Sequence, residues 1–259
     1  MDENDLRFTY ELKDDFAVFP TVATTLSDIK ETFNSLVDCP GMPNFNPMRL
    51  LHGEQHLEIL KPPKAGVRMI TEAKVKDIAD KGKGAFVTFE ATTYEEEDGK
   101  KTPIFRQYMG LFIRGIGGFG YKGTVSFPLP PVPNRNPCKV FEDKTEKNQA
   151  LFYRLAGDLN PLHADPNMAA VGGFDRPILH GLCTYGICAK NIMKGWCDNN
   201  PEKINKVSAR FTSHVFPGET LKINTWKEGN MIIFNATTVE RGSVVIQGFV
   251  ELNENSAKL

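Results

Sequence analysis

Short strand-like runs bounded by turn signals fill much of the chain. In the C-terminal half they cover 204–213, 219–227, 230–240 and 243–252. Glu228-Gly229-Asn230 and Glu240-Arg241-Gly242 separate the last of them as hairpin turns. Upstream, Leu182-Cys183-Thr184-Tyr185-Gly186-Ile187-Cys188-Ala189 carries few polar residues before Lys190-Asn191. A helix apolar nearly all round is expected to be buried. A buried helix followed by an antiparallel meander predicts an α+β unit, a curved sheet wrapped around one helix. Before it, Thr145 is a candidate N-cap, and Leu151, Phe152 and Leu155 form a helical stripe ending at Gly157.

The N-terminal half has similar runs at 67–79, 84–96 and 103–114. Between the halves, Phe127-Pro128-Leu129-Pro130-Pro131-Val132-Pro133 can be neither helix nor central strand. The expected division is therefore 1–121, a Pro-rich linker at 122–144, and 145–259. Leu51-His52-Gly53 recurs as Leu179-His180-Gly181, and Phe89-Glu90-Ala91-Thr92-Thr93 as Phe234-Asn235-Ala236-Thr237-Thr238, in the same order. This suggests an internal duplication. On that register the first half's central helix would follow Gly53 and be cut short by Pro62-Pro63. The space left could hold a bulky ligand.

Composition narrows the function. The 259 residues are 41% hydrophobic and 24% charged, with 31 Lys+Arg against 32 Asp+Glu. Such a balance gives no electrostatic case for nucleic acid or a general membrane surface. No run approaches the about 20 apolar residues of a transmembrane helix. Met1-Asp2-Glu3-Asn4-Asp5 is no secretory signal, so the five cysteines read as reduced intracellular thiols and the Asn235-Ala236-Thr237 sequon as unused. The terminal Ala257-Lys258-Leu259 resembles the Ser-Lys-Leu class of peroxisomal address.

Asp158, Asn160 and His163 lie within six residues, on a loop stiffened by Pro161. A general acid and base must be held at hydrogen-bond distance from one bound molecule, which such a loop permits. The alternative is that Asp158 or Asn160 caps the helix expected after Asp165-Pro166. His180-Gly181 precedes the buried helix, where free backbone N–H groups would stabilise an oxyanion. Gly181 could equally serve only the turn, and His180 reads better as a satisfied structural histidine. Gly115-x-Gly117-x-x-Gly120 mimics a dinucleotide fingerprint but lacks a following helix. The histidine spacing gives no metal site, so none is expected.

Tyr153-Arg154-Leu155-Ala156-Gly157-Asp158-Leu159-Asn160-Pro161-Leu162-His163 resembles the hydratase 2 motif of the MaoC-like dehydratases. Pro177-Ile178-Leu179-His180-Gly181 follows at that family's spacing. Leu51-His52-Gly53-Glu54-Gln55 and Asp80-Lys81-Gly82 resemble its N-terminal half. The likeness is strongest to the peroxisomal (R)-specific enoyl-CoA hydratase type 2 group, found alone or within a multifunctional β-oxidation enzyme. It implies a double hot-dog fold with a shortened N-terminal helix. The implied reaction is reversible hydration of trans-2-enoyl-CoA to (3R)-3-hydroxyacyl-CoA. Asp158 and His163 would be the acid–base pair, Asn160 an orienting residue and the Gly181 N–H the oxyanion donor. His52, Gly53, Lys81 and Phe211 would contact CoA. No cofactor is implied, CoA being part of the substrate. A homodimer and a peroxisomal import receptor would be partners. A thioesterase or an acyl-CoA carrier of the same fold would not need this motif.

Overall fold

The computed structural model describes residues 3–26, 36–37, 39–46 and 49–253. Nine strands form one antiparallel sheet: β1 (Leu50–Ile59), β2 (Arg68–Asp80), β3 (Gly84–Glu97), β4 (Lys100–Arg114), β5 (Lys139–Lys144), β6 (Ile204–Phe211), β7 (Thr220–Glu228), β8 (Met231–Thr238) and β9 (Val244–Leu252). Their order is β2-β3-β4-β1-β6-β9-β8-β7-β5. Read outward from the β1–β6 seam, β1, β4, β3 and β2 follow one another on one side and β6, β9, β8 and β7 on the other, with β5 added beyond β7 at the outer edge. The halves are thus one winding used twice, the double hot-dog arrangement. Across the seam Glu54 pairs with Arg210 at 2.6 Å and Glu58 with Lys206 at 3.1 Å.

This topology corrects part of the expected repeat. Phe89–Thr93 and Phe234–Thr238 occupy β3 and β8, which are equivalent. Leu51-His52-Gly53 lies in β1, whereas Leu179-His180-Gly181 leads into a helix, so that pair matches by chance. Nor is there a helix between Gly53 and Pro62, because that run is β1, paired on both edges by β4 and β6. A short run with mixed apolar positions does not tell strand from helix. Among the described residues before β1 are the helices α1 (Glu3–Thr9) and α2 (Ala23–Leu26), the latter only four residues long, and residues 27–35 are outside those described.

The second half is filled by α5 (Gly181–Trp196). Its Cys183, Tyr185, Cys188, Ile192 and Met193 are buried against Val207, Leu221, Ile223, Phe234 and Ile246 of the sheet. Tyr185 donates from its hydroxyl to the Val207 carbonyl at 2.9 Å, which satisfies a buried polar group. In the first half, the apolar groups Leu36, Val87, Phe89, Leu111 and Ile113 and Ala23, Leu57, Ile104 and Phe105 form separate clusters. There Gln55 donates to Gln107 and Gln107 to the Ala23 carbonyl, both at 3.0 Å.

Two buried aspartates of β2 tie down the glycine-rich segment. Asp80 accepts from the backbone of Gly82, Gly118 and Gly120, and Asp77 from that of Thr124 and Val125. The three N–H donors hold the Asp80 carboxyl at about 2. The fingerprint-like glycines therefore serve a strand exit bound to a carboxylate. Further on, Phe127 stacks on His56 at 4.3 Å between centroids and approaches Tyr108 at 4.6 Å. The stretch read as a linker ends differently from expectation, because Lys139–Lys144 is β5, paired with β7. The helical stripe expected before Gly157 is also corrected. Helix α3 (Gln149–Tyr153) is short, a 3-10 turn follows, and Leu151, Phe152 and Leu155 are exposed. Among the described residues no helix is long and apolar enough to cross a membrane.

Candidate active site

The loop that carries Asp158 begins at Gly157, whose φ of 109° is a left-handed value that favours glycine. Arg154 ties the loop back by donating to the Leu159 carbonyl at 2.6 Å. Asp158 Oδ1 accepts the Asn160 N–H at 3.1 Å, and Asn160 Oδ1 accepts the Leu162 N–H at 3.0 Å. Asn160 thus caps the 3-10 turn Pro161–His163, with Pro161 in its first position. The next helix, α4 (Pro166–Val171), is capped by Asp165. Capping is real, but Asn160 caps the turn that presents His163.

His163 donates from Nδ1 to the Ile178 carbonyl at 2.8 Å. That bond leaves Nε2 of the neutral ring as an acceptor. Burial lowers the imidazole below the usual histidine range, opposed by the Ile178 bond and the Asp158 carboxylate. Asp158, His163 and His180 each place a polar atom within 4.8 Å of the others. A carboxylate and a neutral imidazole at that spacing can hold one water between them, with each about 2.6–3.2 Å from it.

His180 is not the satisfied structural histidine expected from sequence. It is 2% exposed, and neither ring nitrogen has a hydrogen-bond partner. Its ring stacks on His163 at 3.7 Å and 27°, with Tyr153 at 4.6 Å and 40°. Nε2 lies 3.8 Å from Asp158 Oδ2. Burial first, and then His163, push its pKa down to about 4, against the pull of the Asp158 carboxylate and of the Asp158 backbone carbonyl, which faces the ring without a well-formed hydrogen bond. Two imidazoles and a carboxylate are also a metal-ligand set. These two rings are nearly parallel, however, so no point about 2.0–2.1 Å from both nitrogens lies near both ring planes. As arranged, the set suits proton transfer better than coordination.

The other expected residues form a run leading to this cluster. Gly181 opens α5, and a Cβ there would stand 3.2 Å from the Phe211 ring. Phe211 meets His52 edge-on at 5.1 Å. His52 donates from Nε2 to the Glu54 carbonyl at 3.1 Å, and burial lowers it to about 4. Gly53 is the bulge residue of β1, with the Phe86 ring 3.2 Å from its would-be Cβ. Lys81, exposed just after β2, stands 6.0 Å from the centroid of the same ring. Sequence reasoning missed Tyr153 and the unpaired ring of His180, although Tyr153 opens the quoted motif and His180 adjoins Gly181. It also missed a groove of about 730 Å³ that His163 lines together with Lys147, Arg176 and Phe216.

Two family models match the chain: a MFE-2 hydratase 2 N-terminal domain over residues 1–115 and a MaoC like domain over 130–248. The chain is 43% identical to the probable enoyl-CoA hydratase 2 of Dictyostelium discoideum, over 96% of this chain and 85% of that protein. It is 41% identical to the mouse (Mus musculus) peroxisomal multifunctional enzyme type 2, over 96% of this chain but only 34% of that larger protein. The crystal structure of a MaoC-like dehydratase from Phytophthora capsici superimposes with a TM-score of 0.84 at 35% identity, covering 98% of this chain and 89% of that one.

Proposed function

This chain belongs to the MaoC-like dehydratases, in their hydratase 2 branch, and from that premise we propose that it hydrates trans-2-enoyl-CoA to (3R)-3-hydroxyacyl-CoA, reversibly, using Asp158 and His163. The observation that carries the reading is the convergence of the Asp158 carboxylate with a His163 ring oriented by Ile178. The thioester carbonyl makes C3 electrophilic. A water held between the two residues loses a proton as its oxygen bonds to C3, and a proton returns to C2. The two proton transfers are assigned to the pair as a whole. Asn160 acts through the turn that presents His163. The Gly181 N–H, at the start of α5, stabilises the thioester oxygen as it gains enolate charge.

His52, Gly53 and Phe211 line the approach to the thioester, and Lys81 meets a CoA phosphate as a point charge. No cofactor takes part. The protein works as a homodimer in peroxisomal fatty-acid oxidation, imported by a receptor that reads Ala257-Lys258-Leu259. That tripeptide is outside the described residues. Deleting it from a fluorescent fusion should leave the fusion in the cytosol, whereas continued peroxisomal import would refute this role.

The reaction is tested with a 2-enoyl-CoA by loss of the conjugated absorbance and chiral analysis of the product. The expected result is a 3R hydroxyacyl-CoA. Release of free CoA with conjugation intact would point to a thioesterase instead.

A further inference from the structure

We propose that His180 is a positioning residue for the hydration step: its Nε2–H holds one oxygen of the Asp158 carboxylate while its ring braces that of His163. The proposal rests on the assignment of Asp158 and His163 as the acid–base pair. Its starting point is a cost. A buried imidazole with neither nitrogen bonded is destabilising, and a phenyl ring would fill much the same space without that penalty. His180 is buried in this way, yet its ring stacks on His163 and meets Tyr153 at a tilt.

The titratable and charged groups facing it are Tyr153 of α3, Arg154 and Asp158 of the following loop, and His163 of the 3-10 turn. Burial first, then His163 and Arg154, oppose a positive charge on the ring, and they outweigh the Asp158 carboxylate and the Asp158 backbone carbonyl, which favour it. The ring is therefore neutral and carries one proton. The nitrogen nearest a carboxylate oxygen is Nε2, 3.8 Å from Asp158 Oδ2. That is the nitrogen on which a proton is stabilised. The distance is long for a resting hydrogen bond, but catalytic hydrogen bonds tighten when substrate is bound. The other oxygen, Oδ1, already accepts the Asn160 N–H. With a donor on each oxygen, the carboxylate plane is fixed, and the remaining lone pairs are free for a bound water.

The backbone on either side is set for the same purpose. The Leu179 N–H donates to the Val215 carbonyl at 2.7 Å, and the His180 carbonyl accepts from Cys183 and Thr184 as α5 begins. Ile178, two residues earlier, supplies the carbonyl that orients His163. One rigid segment therefore sets both imidazoles.

Three variants test the idea. His180→Phe keeps a ring in the stack but removes the donor. His180→Gln removes the ring but can place an N–H near the Nε2 position. Asp158→Asn tests the pair itself. For His180→Phe the expected result is a fall in kcat of about 10–100-fold with KM little changed, the effect of losing one hydrogen bond to a charged group. The acid limb of its kcat/KM profile should move to higher pH, because the charged carboxylate has lost a donor. His180→Gln should recover most of kcat and the original acid limb.

Wild-type kcat and pH profile in His180→Phe would overturn the proposal. So would equal losses in both His180 variants with an unmoved profile, which would mean packing alone. If Asp158→Asn stays active, the acid–base assignment falls and this proposal with it; if Asp158→Asn is inactive and His180→Phe is normal, only this proposal falls. Imidazole 15N shifts of the unsubstituted protein give a reading that does not depend on any variant folding. An Nε2-protonated His180 supports the assignment, and an Nδ1-protonated one contradicts it.

Discussion

The two halves of the sheet share a winding but are filled differently. Behind β6–β9 lies the 16-residue α5, whose buried side chains join the sheet in one continuous apolar cluster. Behind β1–β4 the described apolar groups fall into separate clusters, and the amides of Gln55 and Gln107 run to the Ala23 carbonyl. The polar catalytic candidates follow the same division. Asp158, Asn160, His163, His180 and Gly181 all belong to the half with the solid core, while the first half offers His52 and Gly53 on β1 and Lys81 just after β2. A packed core holds a site rigidly, and rigid elements position reacting groups better than loops alone. Under the proposed function, the half with the continuous core holds the acid–base pair and the other half contributes part of the approach to it.

Truncations in the two cores should break this comparison if it is wrong. Ile192 is fully buried in α5, so Ile192→Ala should cost about 2–5 kcal/mol in urea unfolding. A smaller loss there than from any apolar truncation in the first half would remove the contrast. A pH series probes one histidine from each half, the half-buried His52 and the buried His180. His52 and His180 are both held at about 4, below the ordinary 6.5, mainly by burial. Their unfolded forms take up protons first, so stability is fully present above about pH 6.5 and declines as pH falls toward 4. Each should account for a loss on the order of 3 kcal/mol, so His52→Gln and His180→Gln should each flatten the fall in melting temperature. Unchanged slopes would show that neither ring is buried neutral. The smallest effect is expected for Gln107→Ala, which leaves the Gln55 amide without its acceptor. A cost of about 1–3 kcal/mol in the same urea titration is expected, and no cost would mean that water replaces the lost amide.

Much of this was legible in the sequence because the strands are long and bounded by glycine turns. The runs 84–96 and 243–252 nearly coincide with β3 and β9. The motif loop was legible because Pro161 restricts its own backbone and that of Asn160. What escaped was decided by tertiary context. Leu50–Ile59 is too short for periodicity to settle, and only pairing with β4 and β6 makes it a strand. The stripe of Leu151, Phe152 and Leu155 looked like a core face but stays exposed, because α3 gives way to a 3-10 turn. His180 looked satisfied because burial of a lone histidine usually means that. Its stacking on His163 joins two segments 17 residues apart, which no local pattern reveals.

The central claim is that Asp158 and His163 work as one unit on one water. Measuring kcat for Asp158→Asn, His163→Gln and the double variant, each confirmed as folded by circular dichroism, tests it directly. Each single variant is expected to lose about 10³-fold or more, and the double variant to be no slower than the worse single one, as befits groups that act together. Either single variant retaining activity within tenfold of wild type, or losses that simply multiply in the double, would contradict the account.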